Sequence, residues 1–228
     1  MKPILFSTPM VQALLNTKPD VWPAEPIDAA KPFKSQTRRV IKPQPLLKGS
    51  FWELGGAGWS DNIRSVEPVP CHSLYNRMPY KPGDILYVRE TWADIPETAP
   101  GNLHYRAGAS DGDLEWFEEN NRKWKPSIFM PREYARLFLE VKSIGVERVN
   151  NITEEDAKAE GVSPMDPLDL WKAPLSILGF SMDGRATYRA TSFTASYYQL
   201  WNSLNAKRGY SWDSNPWVWV YEFGRVER

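Results

Sequence analysis

A glutamate on an apolar strand face is out of place unless something needs its charge, and this sequence carries one at Glu90. Lys81-Pro82-Gly83-Asp84 is a turn signature, and Ile85 to Trp92 behind it is rich in β-branched and aromatic residues, which predicts a strand. Alternation places Leu86, Val88, Glu90 and Trp92 on one face. A carboxylate in such company must be paired or must shift its pKa, so the choice lies between a ligand contact and a buried partner such as Arg39. Glu160 closes a short helix, where its charge meets the negative end of the helix dipole at a cost of about 0.3–1 kcal/mol. Local helix stability does not explain it; a function would, and so would a tolerated surface position. Lys31, Lys34, Arg38, Arg39 and Lys42 form a basic cluster with no acidic residue among them, either a local nucleic-acid contact or a solvated loop. Zinc-ligand patterns, phosphate loops and dinucleotide fingerprints are absent from the sequence, so neither a metal nor a cofactor is expected. Cys71 and His72 are adjacent and would point to opposite faces of an extended segment, so both are read as structural, and His72 and His104, far apart in sequence, argue for neither a metal nor a triad.

The elements that must position these residues begin with a short strand over Pro3 to Phe6 and a helix capped at Thr8-Pro9 that stops before Pro19. A second strand is predicted from about Ala135 to Val149, with Gly145 offering a bulge or bend for barrel closure. Thr153 caps the helix that ends at Gly161, with Asp156 completing a variant capping box. Phe193, Tyr197, Leu200, Trp201 and Leu204 make one helical stripe, and Trp217 to Phe223 reads as a last strand after the turn at Gly209. Several strands with short helices between them predict an α+β domain with a largely closed sheet. One domain over 1–228 is expected, with insertions around 18–33, 48–79, 93–130 and 162–190. Residues 93–124 read as loop apart from a short strand at His104 to Ala107.

Composition sets the bounds. Hydrophobic residues make up 42% and charged residues 25%, enough to bury a core. The 28 Lys and Arg balance the 28 Asp and Glu, so there is no overall positive field and any nucleic-acid contact is local. The single cysteine, with no signal-like or membrane-spanning run, leads to the expectation of a cytoplasmic protein without membrane contact.

Three segments together, Lys34-Ser35-Gln36-Thr37-Arg38-Arg39, Lys81 to Glu90 and Ile152 to Gly161, followed by the closing aromatic strand, resemble the ASCH domain in order and spacing over most of the chain. The likeness is to ASCH proteins encoded by bacteriophages and prophages. It implies a PUA-like small β-barrel with flanking short helices, here with long loop insertions, and a polar cleft that binds RNA, single-stranded nucleic acid, a nucleotide or a modified nucleoside. Arg38, Arg39, Glu90 and Trp92 are the candidate ligand contacts, and Trp52, Trp59, Trp116 and Trp124 are either stacking platforms for bases or core residues. Some bacterial members with a similar motif are amidohydrolases acting on N(4)-acetylcytidine. Carried over, their catalytic group is Lys34, Thr37 and Glu160, with Thr37 as hydroxyl nucleophile, Lys34 as proton acceptor and Glu160 orienting the lysine. Where the common pattern has glycine two residues before the lysine, this chain has Pro32. A Lys34–Glu160 salt bridge with Thr37 as a cap is the structural alternative, and a phage accessory or structural interaction protein is the remaining functional one.

Overall fold

A computed structural model of the chain describes residues 1–48, 51–54, 57–60, 78–95, 103–164 and 193–227. The strands are β1 (Lys2–Leu5), β2 (Gln36–Val40), β3 (Leu46–Lys48), β4 (Phe51–Leu54), β5 (Ala57–Ser60), β6 (Ile85–Arg89), β7 (Trp92–Asp94), β8 (Leu103–Tyr105), β9 (Phe138–Arg148) and β10 (Trp217–Val226). The helices are α1 (Thr8–Leu15), α2 (Asp111–Glu119), α3 (Glu154–Ala159) and α4 (Phe193–Asn205), with several 3₁₀ turns. This is a mixed α+β chain. The largest sheet has the order β1-β6-β9-β10-β2, and two smaller ones are β3-β4-β5 and β7-β8. The described strands do not close a barrel, because β1 and β2 stand at the two ends of that order.

The chain divides into two compact units, each discontinuous in sequence: 1–35 with 83–141 and 223–228, and 36–82 with 142–222.

In the first unit β1 runs parallel to β6, pairing Ile4 with Val88, while β6 runs antiparallel to β9, pairing Leu86 with Leu139. Ile4, Leu86, Val88, Leu139 and Val141 are buried on these strands, together with Met10, Val11 and Leu14 of α1. The α1 cap is Ser7, one residue earlier than the sequence suggests, with Pro9 in the first turn where its missing N–H costs nothing. Asn16 ends the helix and donates to the carbonyl oxygens of Asp28, Lys31 and Pro32, which ties down the proline-rich loop after it. The expected strand over 85–92 is shorter: β6 stops at Arg89, and Trp92 pairs instead with Tyr105 in the β7-β8 hairpin. Helix α2 was not anticipated. Its Ser110 accepts from the Asp113 backbone while the Asp113 carboxylate accepts from the Ser110 backbone, a reciprocal capping box. Phe117 on α2 stacks on Trp124 at 4.0 Å and packs with Ala93 and Ile95.

In the second unit β10 runs antiparallel to β2, pairing Glu222 with Gln36, Val220 with Arg38 and Trp219 with Arg39. Strand β9 continues through Gly145 without a break, and a Cβ there would make only ordinary contact with Val220. Thr153 caps α3 by accepting from the Asp156 backbone, and Gly161 leaves it with φ +86°. Asp156 does not complete the box: its carboxylate is engaged by Gln36 and Arg38. Helix α4 buries Ala195, Tyr197 and Trp201, whereas Leu204, expected on the same stripe, is 50% exposed.

Burial raises the pKa of three tyrosines of this unit, Tyr80, Tyr197 and Tyr221, so their neutral form is favoured in the fold. A folded-state pKa above the unfolded value of about 10 contributes stability that is present below pH 10 and lost as pH rises beyond it. Circular dichroism across pH 8 to 12 is therefore expected to show stability falling above about pH 10. Tyr221→Phe should shift that loss to higher pH; an unchanged profile would refute the assignment.

Candidate functional site

The polar cluster of the second unit starts from alternation along β2. Gln36 and Arg38 share one strand face and Thr37 and Arg39 the other. Arg38 is buried, and every nitrogen of its guanidinium is engaged. Nε donates to Glu147 on β9, Nη1 to Gln36 at 2.7 Å and Glu160 at 3.2 Å, and Nη2 to Asp156 at 3.1 Å. The Gln36 amide in turn donates to Asp156 and to Glu222 on β10, whose other oxygen accepts from Ser143. Burial on its own would lower the Arg38 pKa, but Glu160 and Glu147 outweigh it and hold the guanidinium firmly protonated. For Glu147 burial wins over Arg38 and raises the carboxyl above its ordinary value.

This network floors a cleft of about 350 Å³ lined by Gln36, Arg38, Ser143, Glu147, Asp156 and Glu222, with the β9 segment Ile144 to Val146 along one side. Glu147 and Asp156 keep 20% and 29% of their side chains exposed, whereas Arg38 keeps none. The cleft therefore presents acceptor oxygens, and the cation that orders them lies beneath. No group of three or more His, Cys, Asp or Glu among the described residues has a metal-holding arrangement.

The residues singled out from sequence fall in two groups. Thr37, Arg38, Arg39 and Glu160 belong to the second unit, and Lys34, Glu90 and Trp92 to the first. Arg38 and Glu160 are bonded directly, whereas Thr37 lies on the opposite face of β2 from Arg38, at the position paired with Tyr221. Arg39 is partly buried. Lys34 is 1% exposed; its backbone N–H donates to the Thr17 hydroxyl, and its ammonium lies 5.2 Å from the Phe6 ring centroid.

Glu90 is completely buried and its partner is Arg136, which binds both oxygens at 2.9 and 3.0 Å. Arg39, the partner suggested by sequence, does not hold it. Trp92 is buried beneath Lys125, whose ammonium lies 4.6 Å from the indole, and packs against Tyr134. Neither Glu90 nor Trp92 is placed as an exposed ligand contact. Trp124 is likewise committed to Phe117, while Trp116 keeps 38% of its surface exposed. The side chains of Trp52 and Trp59, and Cys71 and His72 altogether, lie outside the described residues.

No family model matches the chain, and neither a curated protein nor a solved structure is similar to it. The geometry of the cleft therefore carries the functional reading. Gln36, Ser143, Glu147, Asp156 and Glu222 belong to it and were not foreseen. The alternation of Gln36 with Arg38 was visible in the sequence, but pairing to Glu222 depends on the β2-β10 register.

Among the described residues no helix is long and apolar enough to cross a membrane.

Proposed function

We propose that the chain is an ASCH-like protein, with the PUA-like barrel that this likeness implies, and that the cleft of its second unit takes the hydrogen-bonding edge of a nucleobase. The base belongs to a nucleoside or to an unpaired nucleotide of RNA or single-stranded DNA. One observation carries the reading: buried Arg38 arrays Glu147, Asp156 and Glu160 around itself, and Gln36 links Asp156 to Glu222, so the cleft offers fixed acceptors. Amino groups such as the cytosine N4 donor are read by just such carboxylates. A volume of about 350 Å³ suits a ligand of that size. Arg38 then organises the site and does not meet phosphate, because its side chain is fully buried and each guanidinium nitrogen already donates to a protein acceptor. Binding should accordingly be less salt-sensitive than that of a phosphate-gripping protein.

Calorimetric titration with cytidine, adenosine, guanosine and short single-stranded RNA tests this. Asp156→Asn turns one acceptor oxygen into a donor and is expected to weaken binding about tenfold, equivalent to about 1.4 kcal/mol, with the largest loss for the best ligand. Absence of binding by any of these at low salt would sink the reading.

Hydrolysis of an acylated nucleoside is a second reading, which rests on the resemblance alone: it assigns Lys34, Thr37 and Glu160, and these are 1%, 4% and 3% exposed. Deacylation of N(4)-acetylcytidine by wild type but not by Lys34→Ala, followed by mass spectrometry, would establish it.

A further inference from the structure

The first unit contains a second polar pocket, of about 210 Å³, lined by Leu103, His104, Tyr105, Gly108, Ala109, Asp113 and Arg136. Its central group is one edge of a fixed arginine. Glu90, itself inaccessible to solvent, grips Nε and Nη2 of Arg136, while the Tyr105 ring lies 4.2 Å beneath the guanidinium carbon. Tyr105 is anchored in turn by donating its hydroxyl proton to the Tyr134 carbonyl at 2.8 Å. The guanidinium plane is therefore held on one edge and on one face. Nη1 on the remaining edge has no hydrogen-bond partner among the described residues.

Gly108 keeps that edge open: a Cβ on it would come within 3.3 Å of Nη1 and 3.5 Å of Nη2. A third observation concerns His104, whose Nε2 is buried without a hydrogen-bond partner among the described residues. A polar atom withdrawn from water with nothing in exchange costs about 1–3 kcal/mol, and because His104 lines the pocket, a small rotation of its ring would let a polar ligand recover that cost. Tyr105 and Asp113 do not compete for it, because the Tyr105 hydroxyl is committed to Tyr134 and one Asp113 oxygen to the Ser110 backbone and hydroxyl.

We propose that this pocket binds a small monocarboxylate, seated flat on the Nη1 edge of Arg136 beside His104. A planar guanidinium edge matches a carboxylate in shape and hydrogen-bond direction. Charge selects against a dianion, because Glu90 already offsets the arginine and Asp113 adds a second negative group. The volume lies below the ~300–1,000 Å³ of sites for drug-sized ligands, which limits the occupant to a few heavy atoms beyond the carboxylate. Leu103 and Ala109 on the wall suit a short aliphatic tail. This site is independent of the nucleobase cleft and stands or falls separately.

The chain has only two histidines, which makes proton NMR a direct probe. Sodium propionate is titrated into the full chain at constant ionic strength, with His72→Gln used to assign the His104 resonances. Saturable shifts of His104 are expected with propionate, and much weaker ones with inorganic phosphate. Gly108→Ala sets a methyl against Nη1 while leaving the Glu90 contacts in place, and should weaken propionate binding at least tenfold. Arg136→Lys, which loses the flat edge but keeps the charge, should weaken it likewise. The proposal is overturned if propionate produces no saturable shift in wild type, if phosphate binds as well, or if a folded Gly108→Ala protein binds like wild type.

Discussion

Arg38→Met is expected to be the most destabilising single change in the second unit, lowering unfolding free energy by about 3–5 kcal/mol. Removal of the guanidinium strips the shared cation from Glu147, Asp156 and Glu160, and Glu160 has a side chain only 4% exposed. Three carboxylates are then left to repel one another, the first of them already disfavoured as an anion by burial. Against a typical total of about 5–15 kcal/mol, such a loss leaves the fold marginal at neutral pH. Urea titration measures it directly. Stability should recover partly in high salt, which screens repulsion between the two carboxylates that retain solvent contact. Lowering the pH should also restore part of it, because protonation removes the repulsion. A loss under about 1 kcal/mol, or one indifferent to both salt and pH, would show that Arg38 does not hold the cluster together.

Arg136→Ala is expected to be the corresponding lesion of the first unit. Glu90 has 1% of its side chain exposed and Arg136 31%, so the deletion leaves the less accessible partner behind without its cation. The cost should reach about 3 kcal/mol, near the lower end for broken buried pairs because Arg136 lines a pocket and is itself 31% exposed. Glu90→Gln combined with Arg136→Met removes both charges, and much of the lost stability should return in the double variant. If the double variant is as unstable as Arg136→Ala, the effect comes from lost packing over Tyr105 and the pairing argument fails.

These two clusters also show how far the sequence could be read. Glu90 was recognised as misplaced because it sits two residues from Val88 on a strand, which is local information. Arg39 was suggested as one buried partner for it, and the partner is Arg136, which precedes β9 and reaches Glu90 only because β9 pairs with β6. Glu160 drew notice for the same local reason, an anion at the wrong end of a helix, and it is bonded to Arg38 across 122 positions of sequence. The Thr153 cap, the Gly161 stop and the last strand are short-range matters and were legible. Helix α2 was hidden by the glycine at 112 and by a run of acidic residues, although Ser110 and Asp113 already spelled its capping box. The extent of β6 was overread because alternating apolar residues continue to Trp92, whereas backbone pairing moves to the β7-β8 hairpin there. The cleft itself was illegible as a set. Gln36, Glu147, Asp156 and Glu222 come together only through strand register and helix docking.

The first unit draws on both early and late parts of the chain. Arg225 donates to the carbonyl oxygens of Leu15 and Thr17, and the Phe223 backbone N–H donates to Ser35. During synthesis, therefore, the segment 1–35 precedes its final neighbours and waits until residues beyond 222 have been made. Its apolar helix face, with Met10, Val11 and Leu14, is uncovered at least until the turn at Arg106–Gly108, against which the helix packs, has been made. Pairings of such long sequence separation are slow to form, and exposed apolar surface in the meantime is what chaperones capture. Residues 1–35 are thus expected to remain a chaperone client until residues 223–228, which complete their unit, have been made.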